Sequence, residues 1–238
     1  DPAENPDLLA LHCALASQCH LNDHVYATPA EELAQALRLR EAVQAALAQG
    51  AKPGAHWLPA VASYLPLARL EAAEQLLAQP WPAPLARLLQ CTVREPLDER
   101  RRQSTLRHLT PVRNAVSGAV RAQYEENPYP RWPALARPAH TVDFSEFVHN
   151  RVPGTTYRPR HAPGRVEVLN AGCGTGQQPI DTALRLAGAR ILAVDLSLAS
   201  LAYGARMAQA MGVDNVEFAQ ADLLELGSLA RRFDLIES

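Results

Sequence analysis

Apolar residues recur with the period of an α-helix over the first part of the chain, from about residue 7 to residue 90. No run of alternating or β-branched residues in this part predicts a strand. Thr28 and Pro29 predict the start of the clearest helix, and Gln49 and Gly50 predict its end. We therefore expect an all-helical N-terminal region. The core-facing positions of the clearest helix are predicted to be Leu33, Ala36, Leu37, Val43 and Leu47.

Prolines set the middle of the chain apart. Between residues 128 and 163 they recur every few positions, which favours an extended connector over a helix or a strand. The pattern predicts three regions along the chain. A helical N-terminal domain covers residues 1–120, a Pro-rich connector and candidate cofactor lid covers residues 121–163, and an α/β domain covers residues 164–238.

Strand and helix patterns alternate after Gly164. Short apolar runs predict four strands, and the segments between the first three predict helices. This alternation is typical of the α/β class with a parallel, doubly wound sheet. The predicted strands are residues 165–170, 189–195, 215–222 and 233–237, and the predicted helices are residues 178–187 and 197–211.

The composition narrows the classes of partner. The 238 residues carry 23 basic and 25 acidic side chains, so the net charge of −2 provides no overall basic field for nucleic acid. No apolar run reaches the length of a membrane span, about 18 residues. The start of the sequence also lacks the basic segment of a signal peptide. We therefore expect a cytoplasmic protein without a membrane or nucleic-acid partner.

Cysteines and histidines predict neither a disulfide framework nor a metal site. The four cysteines form no CxxC pair. Several potential ligands gather near the start of the chain, but their spacing matches no zinc motif. Buried thiols and exposed histidines account for this group, which consists of His12, Cys13, Cys19, His20 and His24.

The stretch that indicates chemistry joins the first predicted strand of the α/β region to the following helix. Gly172, Gly174 and Gly176 alternate there with Cys173 and Thr175. Glycines at such a junction let backbone amides approach a ligand closely, because no side chain stands in the way. We therefore expect a nucleotide-like ligand. No nearby histidine is predicted to activate Cys173 as a nucleophile, so packing is its expected role.

The glycine spacing distinguishes two classes of cofactor. Dinucleotide sites carry G-x-G-x-x-G, whereas this loop reads G-x-G-x-G and has Gln177 where the third dinucleotide glycine would fall. The spacing therefore favours S-adenosylmethionine, which has no pyrophosphate to seat at the helix N-terminus. A nicotinamide dehydrogenase is the disfavoured alternative.

Two aspartates end the next two predicted strands. Asp195 follows the glycine loop by about 20 residues, where a carboxylate can accept hydrogen bonds from ribose hydroxyls. Asp222 ends the third strand, where its carboxylate can accept a hydrogen bond from the adenine amine. The carboxyl ends of parallel strands meet at the edge where open α/β sheets bind ligands. We expect both aspartates to lie beside the glycine loop.

The motifs AGCGTG, LAVDLS, QAD and FDLIE together resemble those of class I S-adenosylmethionine-dependent methyltransferases. The resemblance covers residues 165–238. Upstream, the segment YEENPYPRW at residues 124–132 resembles one that precedes this domain in a bacterial subgroup often fused to tetratricopeptide repeats. The resemblance implies a Rossmann-like sheet with strand order 3-2-1-4 in the present strands, whose C-terminal half would follow Ser238.

The resemblance also implies which residues hold the cofactor. The loop glycines would line the methionine portion, Asp195 the ribose and Asp222 the adenine, while Tyr124 and Tyr129 would close over the ligand. Asn170 stands where many members have an acidic residue, so the cofactor's ammonium group would gain no charge partner. The cofactor-binding residues expected in full are Tyr129, Asn170, Gly172, Cys173, Gly174, Gly176, Asp195, Leu196, Asp222 and Leu223.

These expectations lead to two hypotheses of function. The first is S-adenosylmethionine-dependent methyl transfer to an unidentified acceptor, with this chain carrying the cofactor-binding half and inactive alone. Its catalysis would be mainly positioning, and no general base is identified, although Glu237 stands at the ligand edge. The second is a helical protein-interaction module joined to a vestigial or regulatory nucleotide-binding domain.

Overall fold

The chain divides into two compact units in a computed structural model that describes residues 5–126, 128–155 and 164–238. The first unit is Asp1–Asp98 and the second is Glu99–Ser238. The division therefore falls at residue 98, upstream of the boundaries at 120 and 163 that the sequence predicts. We describe each unit separately.

The first unit consists of helices in the residues described, as the sequence predicts. None of the described helices is long and apolar enough to cross a membrane. The α-helices are α1 Pro6–Leu21, α2 Ala30–Ala48, α3 Trp57–Ala62, α4 Ala83–Leu89 and α5 Glu95–Gln103, the last of which contains the division between units; 3₁₀ turns occupy Leu67–Arg69 and Ala73–Ala78, and a π-helix occupies Gln90–Arg94.

Helix starts show where local sequence decides structure. The Asn5 side chain caps α1 by accepting hydrogen bonds from the amides of Asp7 and Leu8. The predicted cap of α2 is wrong, since Pro29 occupies the cap position and the Thr28 hydroxyl donates to the Tyr26 carbonyl instead. A side-chain cap therefore fixes the first helix but not the second.

Apolar side chains from α1 to α4 and the π-helix form the core of the first unit. Ala36, Val43 and Leu47 of α2 are buried as predicted. Leu33 is 39% exposed, because it lies near the start of α2, outside the part of the helix that the core covers. The pattern of apolar positions predicted the core face of α2 but not how much of its length is covered.

A five-stranded parallel sheet organises the second unit. Its spatial order is β1-β4-β3-β2-β5. The four predicted strands keep the relative order 3-2-1-4, and a short additional strand lies at the edge beside β4. The strands are β1 Arg107–His108, β2 Val166–Ala171, β3 Ala189–Asp195, β4 Val216–Gln220 and β5 Leu235–Glu237.

The additional strand corrects the prediction of four strands. β1 has two polar, exposed residues, so no apolar run signals it. Its register places Arg107 beside Ala219 and His108 beside Gln220. The amide of Leu109 then donates to the carbonyl of Gln220, which continues the pairing by one residue. Long-range pairing with β4, and not local sequence, makes this segment a strand.

Helices cover the sheet and also interrupt the predicted connector. The Asp143 side chain caps α7 by accepting a hydrogen bond from the amide of Glu146, so an extended segment throughout 128–163 is wrong. Within the connector, residues 156–163 lie outside the described residues. The helices of this unit are α6 Ala115–Glu126, α7 Phe144–Arg151, α8 Gln177–Arg185 and α9 Leu198–Ala210, with a 3₁₀ turn at Leu223–Ser228.

Candidate functional site

The glycine loop lies at the carboxyl end of β2, between that strand and α8. Gly172, Gly174 and Gly176 all have positive φ angles, +80°, +51° and +81°. Such angles are in the left-handed region that side chains disfavour. The sequence predicted the loop correctly, and the backbone conformation gives a physical reason for three glycines.

The surroundings separate the roles of the three glycines. A Cβ atom at Gly176 would lie 2.9 Å from the Gly204 Cα and from the Phe218 ring, so the fold itself fills this space. At Gly174 nothing lies within 4 Å of such an atom, and at Gly172 only Leu223 does, at 3.7 Å. Gly176 is therefore required for packing, whereas Gly172 and Gly174 leave room on the ligand side of the loop.

Asp195 ends β3 and holds the glycine loop. One carboxylate oxygen accepts a hydrogen bond from the Gly174 amide at 2.8 Å, and the other accepts one from the Ser197 amide at 3.0 Å. A carboxylate offers about four acceptor positions, so about two remain for a ligand. Asp195 thus shapes the loop and keeps spare acceptor positions, and its predicted contact with ribose hydroxyls stays a prediction.

Asp222 follows β4 and differs from Asp195 in its hydrogen bonding. Its side chain is buried, with 1% exposure, and Oδ1 accepts a hydrogen bond from the Leu224 amide at 3.1 Å. The other oxygen, Oδ2, is buried without a hydrogen-bond partner among the residues described. Because an unpaired buried carboxylate oxygen is costly, this atom is a candidate acceptor for a bound donor group.

The sequence reasoning missed the residues that hold these strand ends together. The Gln220 side chain donates to the Leu196 carbonyl at 2.7 Å, and its oxygen lies 2.6 Å from Nδ1 of His108. The Thr110 hydroxyl accepts a hydrogen bond from the Asp222 amide at 2.7 Å. No motif signals these partners, because they come from the short edge strand and the residues just after it.

Pro130 and Trp132 contact the glycine loop directly. The Thr175 hydroxyl donates to the Pro130 carbonyl at 2.7 Å, and the Trp132 indole donates to the Thr175 carbonyl at 3.2 Å. The Tyr203 hydroxyl donates to the Trp132 carbonyl at 2.6 Å. Tyr129, which precedes Pro130, is 58% exposed, and its predicted place over the ligand stays a prediction.

Asn170 lies in β2, next to the glycine loop, and its side chain contacts β5. It is buried, and its amide nitrogen lies 3.5 Å from Oε2 of Glu237, its partner in the β2–β5 register. Glu237 also accepts hydrogen bonds from Thr182 at 2.9 Å and Arg151 at 3.1 Å. Glu237 is therefore engaged with protein groups, and the roles predicted for Asn170 and Glu237 at the ligand edge stay predictions.

Cys173 is buried within the loop and packs in the apolar cluster around α9. Burial raises the pKa of its thiol well above the ordinary value, and the nearby Asp195 carboxylate raises that pKa further. A thiol that stays protonated is a poor nucleophile. The structure thus gives Cys173 a packing role.

The metal-ligating residue types form no site within residues 5–126, 128–155 and 164–238. No group of three or more His, Cys, Asp or Glu side chains there is arranged to hold a metal ion. The four cysteines are free thiols.

Three features of the site could bind the groups of an adenosine-containing ligand. An open backbone loop, a carboxylate with spare acceptor positions and a buried carboxylate oxygen without a partner lie at the ends of adjacent parallel strands. The first can approach the amino-acid portion of such a ligand, and the two carboxylates can accept hydrogen bonds from hydroxyl and amine groups. Two leucines are predicted to flank the ligand. Leu196 is partly buried, and Leu223 is 42% exposed.

Comparisons with known proteins find partial relatives. An uncharacterized protein of Synechococcus sp. is 32% identical over 124 residues, which are 52% of this chain and 30% of that protein. The chain thus spans under a third of the length of this curated relative.

Solved structures overlap this chain in part. A structure from work on disulfide-to-thioacetal conversion in echinomycin biosynthesis is 26% identical, covers 51% of this chain and 47% of its own, and has a TM-score of 0.33. The [4+2]-cyclase SpnF is 22% identical, with 55% and 51% covered and a TM-score of 0.35. Coclaurine N-methyltransferase, bound to N-methylheliamine and SAH, is 16% identical, with 96% and 53% covered and a TM-score of 0.31.

A family model supplies the comparison that covers the site. The model described as a methyltransferase domain matches residues 168–238. This range contains the glycine loop and both aspartates, together with β3, β4 and β5. Residues 168–238 of the chain are therefore similar to a methyltransferase domain.

Proposed function

We propose that the second unit binds S-adenosylmethionine and serves methyl transfer to an acceptor, with this chain carrying the cofactor-binding half. The observation that carries the proposal is Oδ2 of Asp222, which is buried at the end of β4 and has no hydrogen-bond partner among the residues described. The methyltransferase family match over the same residues supports the reaction class. The long curated relative supports a larger protein around this chain.

Each residue of the proposed site contributes a different contact. Asp222 accepts a hydrogen bond from the adenine amine, and Asp195 accepts hydrogen bonds from the ribose hydroxyls through the acceptor positions that the backbone leaves unused. Gly172 and Gly174 let the loop backbone approach the methionine portion. Tyr129 covers the solvent side of the site.

Positioning is the main catalytic contribution that these residues make. The bound cofactor supplies an electrophilic methyl group on its sulfonium sulfur. Two hydrogen bonds hold the loop, one from the Gly174 amide to Asp195 and one from the Thr175 hydroxyl to the Pro130 carbonyl. The loop therefore fixes the orientation of a bound ligand relative to the open edge of the sheet. The acceptor is a molecule that reaches this edge, and its chemical class is left open by the residues described.

The proposal is tested by calorimetric titration of S-adenosylhomocysteine into this 238-residue chain and into the full-length protein that carries it. We expect saturable binding by the full-length protein, and competition by S-adenosylmethionine but not by NADH. Binding by both forms would show that the present strands suffice for the site. Absence of binding to either form would contradict the proposal, as would tighter binding of NADH.

A further inference from the structure

The carboxylate of Glu125, near the end of α6, sits on the N-terminus of α9. One oxygen accepts a hydrogen bond from the Leu198 amide at 2.8 Å, and the other accepts one from the Ala199 amide at 3.0 Å. A negative charge at this end of a helix also interacts favourably with the helix dipole. Glu125 thus caps a helix that begins 73 residues later in the chain.

Together, Glu125 and Ser197 satisfy the first free amides of α9. The Ser197 hydroxyl accepts a hydrogen bond from the Ser200 amide at 3.1 Å, and the Leu201 amide makes the first hydrogen bond to a carbonyl one turn back, that of Ser197. Glu125 accepts hydrogen bonds from the two amides before Ser200, those of Leu198 and Ala199. The start of α9 is therefore fully satisfied only when the end of α6 is in place.

The same helix start is connected to the proposed cofactor site. The Ser197 amide donates to Oδ1 of Asp195, and Oδ2 of Asp195 accepts from the Gly174 amide. The Ser197 hydroxyl also donates to the Tyr124 carbonyl at 3.0 Å, so the backbone of α6 holds Ser197 at a second point. A short path of hydrogen bonds thus runs from α6 through Ser197 and Asp195 to the glycine loop.

We propose that Glu125 is a positioning residue for the cofactor site: by holding the N-terminus of α9, it sets the position of Ser197 and through it the orientation of the Asp195 carboxylate and the glycine loop. The inference rests on the proposed function. It makes α6, which lies outside the segment similar to a methyltransferase domain, a required part of the binding site.

A double-mutant cycle on the full-length protein tests this role. The affinity for S-adenosylhomocysteine is measured for the wild type, Glu125→Ala, Asp195→Ala and the double variant, at a temperature where all four are folded. We expect Glu125→Ala to bind about tenfold more weakly. Because Glu125 acts through Asp195, the double variant should bind no more weakly than Asp195→Ala alone.

Two further variants separate positioning from charge and from general stability. Glu126→Ala removes the same charge from the next, exposed position of α6 and should bind as the wild type does. Glu125→Gln keeps one acceptor oxygen and should recover part of the affinity, with about a threefold loss. In the ligand-free protein, hydrogen exchange of the Gly174 amide should be about tenfold faster in Glu125→Ala and unchanged in Glu126→Ala.

Several results would overturn the inference. Wild-type affinity in Glu125→Ala, an equal loss in Glu126→Ala, or additive losses from Glu125→Ala and Asp195→Ala would each show that Glu125 does not act through Asp195. If the wild type itself binds no S-adenosylhomocysteine, the proposed function fails, and the exchange rate of the Gly174 amide still decides whether Glu125 positions the loop.

Discussion

The ends of β3 and β4 both carry an aspartate, but the fold uses the two carboxylates differently. Both oxygens of Asp195 accept backbone hydrogen bonds, from Gly174 and Ser197. Asp222 has one oxygen bonded to the Leu224 amide and one without a partner. Asp195 therefore holds the loop through both of its oxygens, whereas Asp222 keeps one oxygen without a partner among the residues described. Substitutions at the two ends should then affect stability in opposite directions.

The largest effect is expected from Asp195→Ala. Removing this side chain leaves the Gly174 and Ser197 amides without their acceptor, and hydrogen bonds to a charged group contribute about 1.5–3 kcal/mol each. Because Asp195 is only partly buried, water can replace part of both bonds, so we expect the free energy of unfolding to fall by about 1–3 kcal/mol in total. The binding free energy for S-adenosylhomocysteine should also fall by about 1–3 kcal/mol. Urea unfolding and calorimetry measure the two quantities. Unchanged affinity would refute the ribose assignment.

Asp222→Asn should raise the free energy of unfolding, whereas Asp195→Ala should lower it. The substitution replaces a buried carboxyl group that has one oxygen without a partner among the residues described, and keeps the acceptor for the Leu224 amide, so the ligand-free protein should be stabilised by about 1 kcal/mol in urea unfolding. Its affinity for S-adenosylhomocysteine should fall by about 1–2 kcal/mol, because the new amide group faces the adenine amine with a donor. A loss of stability as large as that in Asp195→Ala would show that the two strand ends have the same structural role.

A substitution in the glycine loop tests whether the open space at Gly174 receives a ligand. Gly174→Ala places a methyl group where nothing lies within 4 Å, at a φ of +51°, so its stability cost is the left-handed strain of about 1–2 kcal/mol. Affinity should fall by about 1–2 kcal/mol, because the methyl group enters the space left for the ligand. Binding and unfolding are measured as above.

Gly176→Ala is the matched control for that substitution. It creates a similar backbone strain and also a clash with Gly204 and Phe218, so its main effect should be a loss of stability. A Gly174→Ala protein that loses stability but binds S-adenosylhomocysteine normally would contradict a ligand beside Gly174.

The difference between the two strand ends was only partly predictable. The sequence showed that Asp195 and Asp222 end successive strands, because apolar runs and glycines mark those strands locally. It could not show which oxygen would lack a partner. The contacts around Asp222 come from far along the chain: Thr110 accepts a hydrogen bond from the Asp222 amide, and His108 contacts Gln220, through a strand pairing with no local signal.

The connector shows the same limit. Its prolines correctly marked a change in character, but the Asp143 cap of α7 went unrecognised among them. Tyr124 and Tyr129 drew attention as candidates for closing over a ligand, whereas Glu125 between them makes the hydrogen bonds to α9. A glutamate beside a second one carries no pattern that sets it apart, since the partner of Glu125 is a helix end far along the chain.

The smallest expected effect concerns Cys173, whose thiol is buried in the glycine loop. Burial, and then the Asp195 charge, raise the pKa of this thiol in the folded protein, whereas the unfolded thiol titrates near 8.5. Protonated Cys173 therefore contributes stability that is complete below about pH 8 and is lost as the pH rises above 8.5, by about 1 kcal/mol over the first pH unit.

The free energy of unfolding of the wild type should thus fall more steeply with pH than that of Cys173→Ala, which retains Cys13 and all other titrating groups. Equal slopes for the two proteins would show that Cys173 is not held in its neutral form. Since the Asp195 charge is the second cause that raises this pKa, after burial, Asp195→Ala should narrow the pH range over which the two slopes differ.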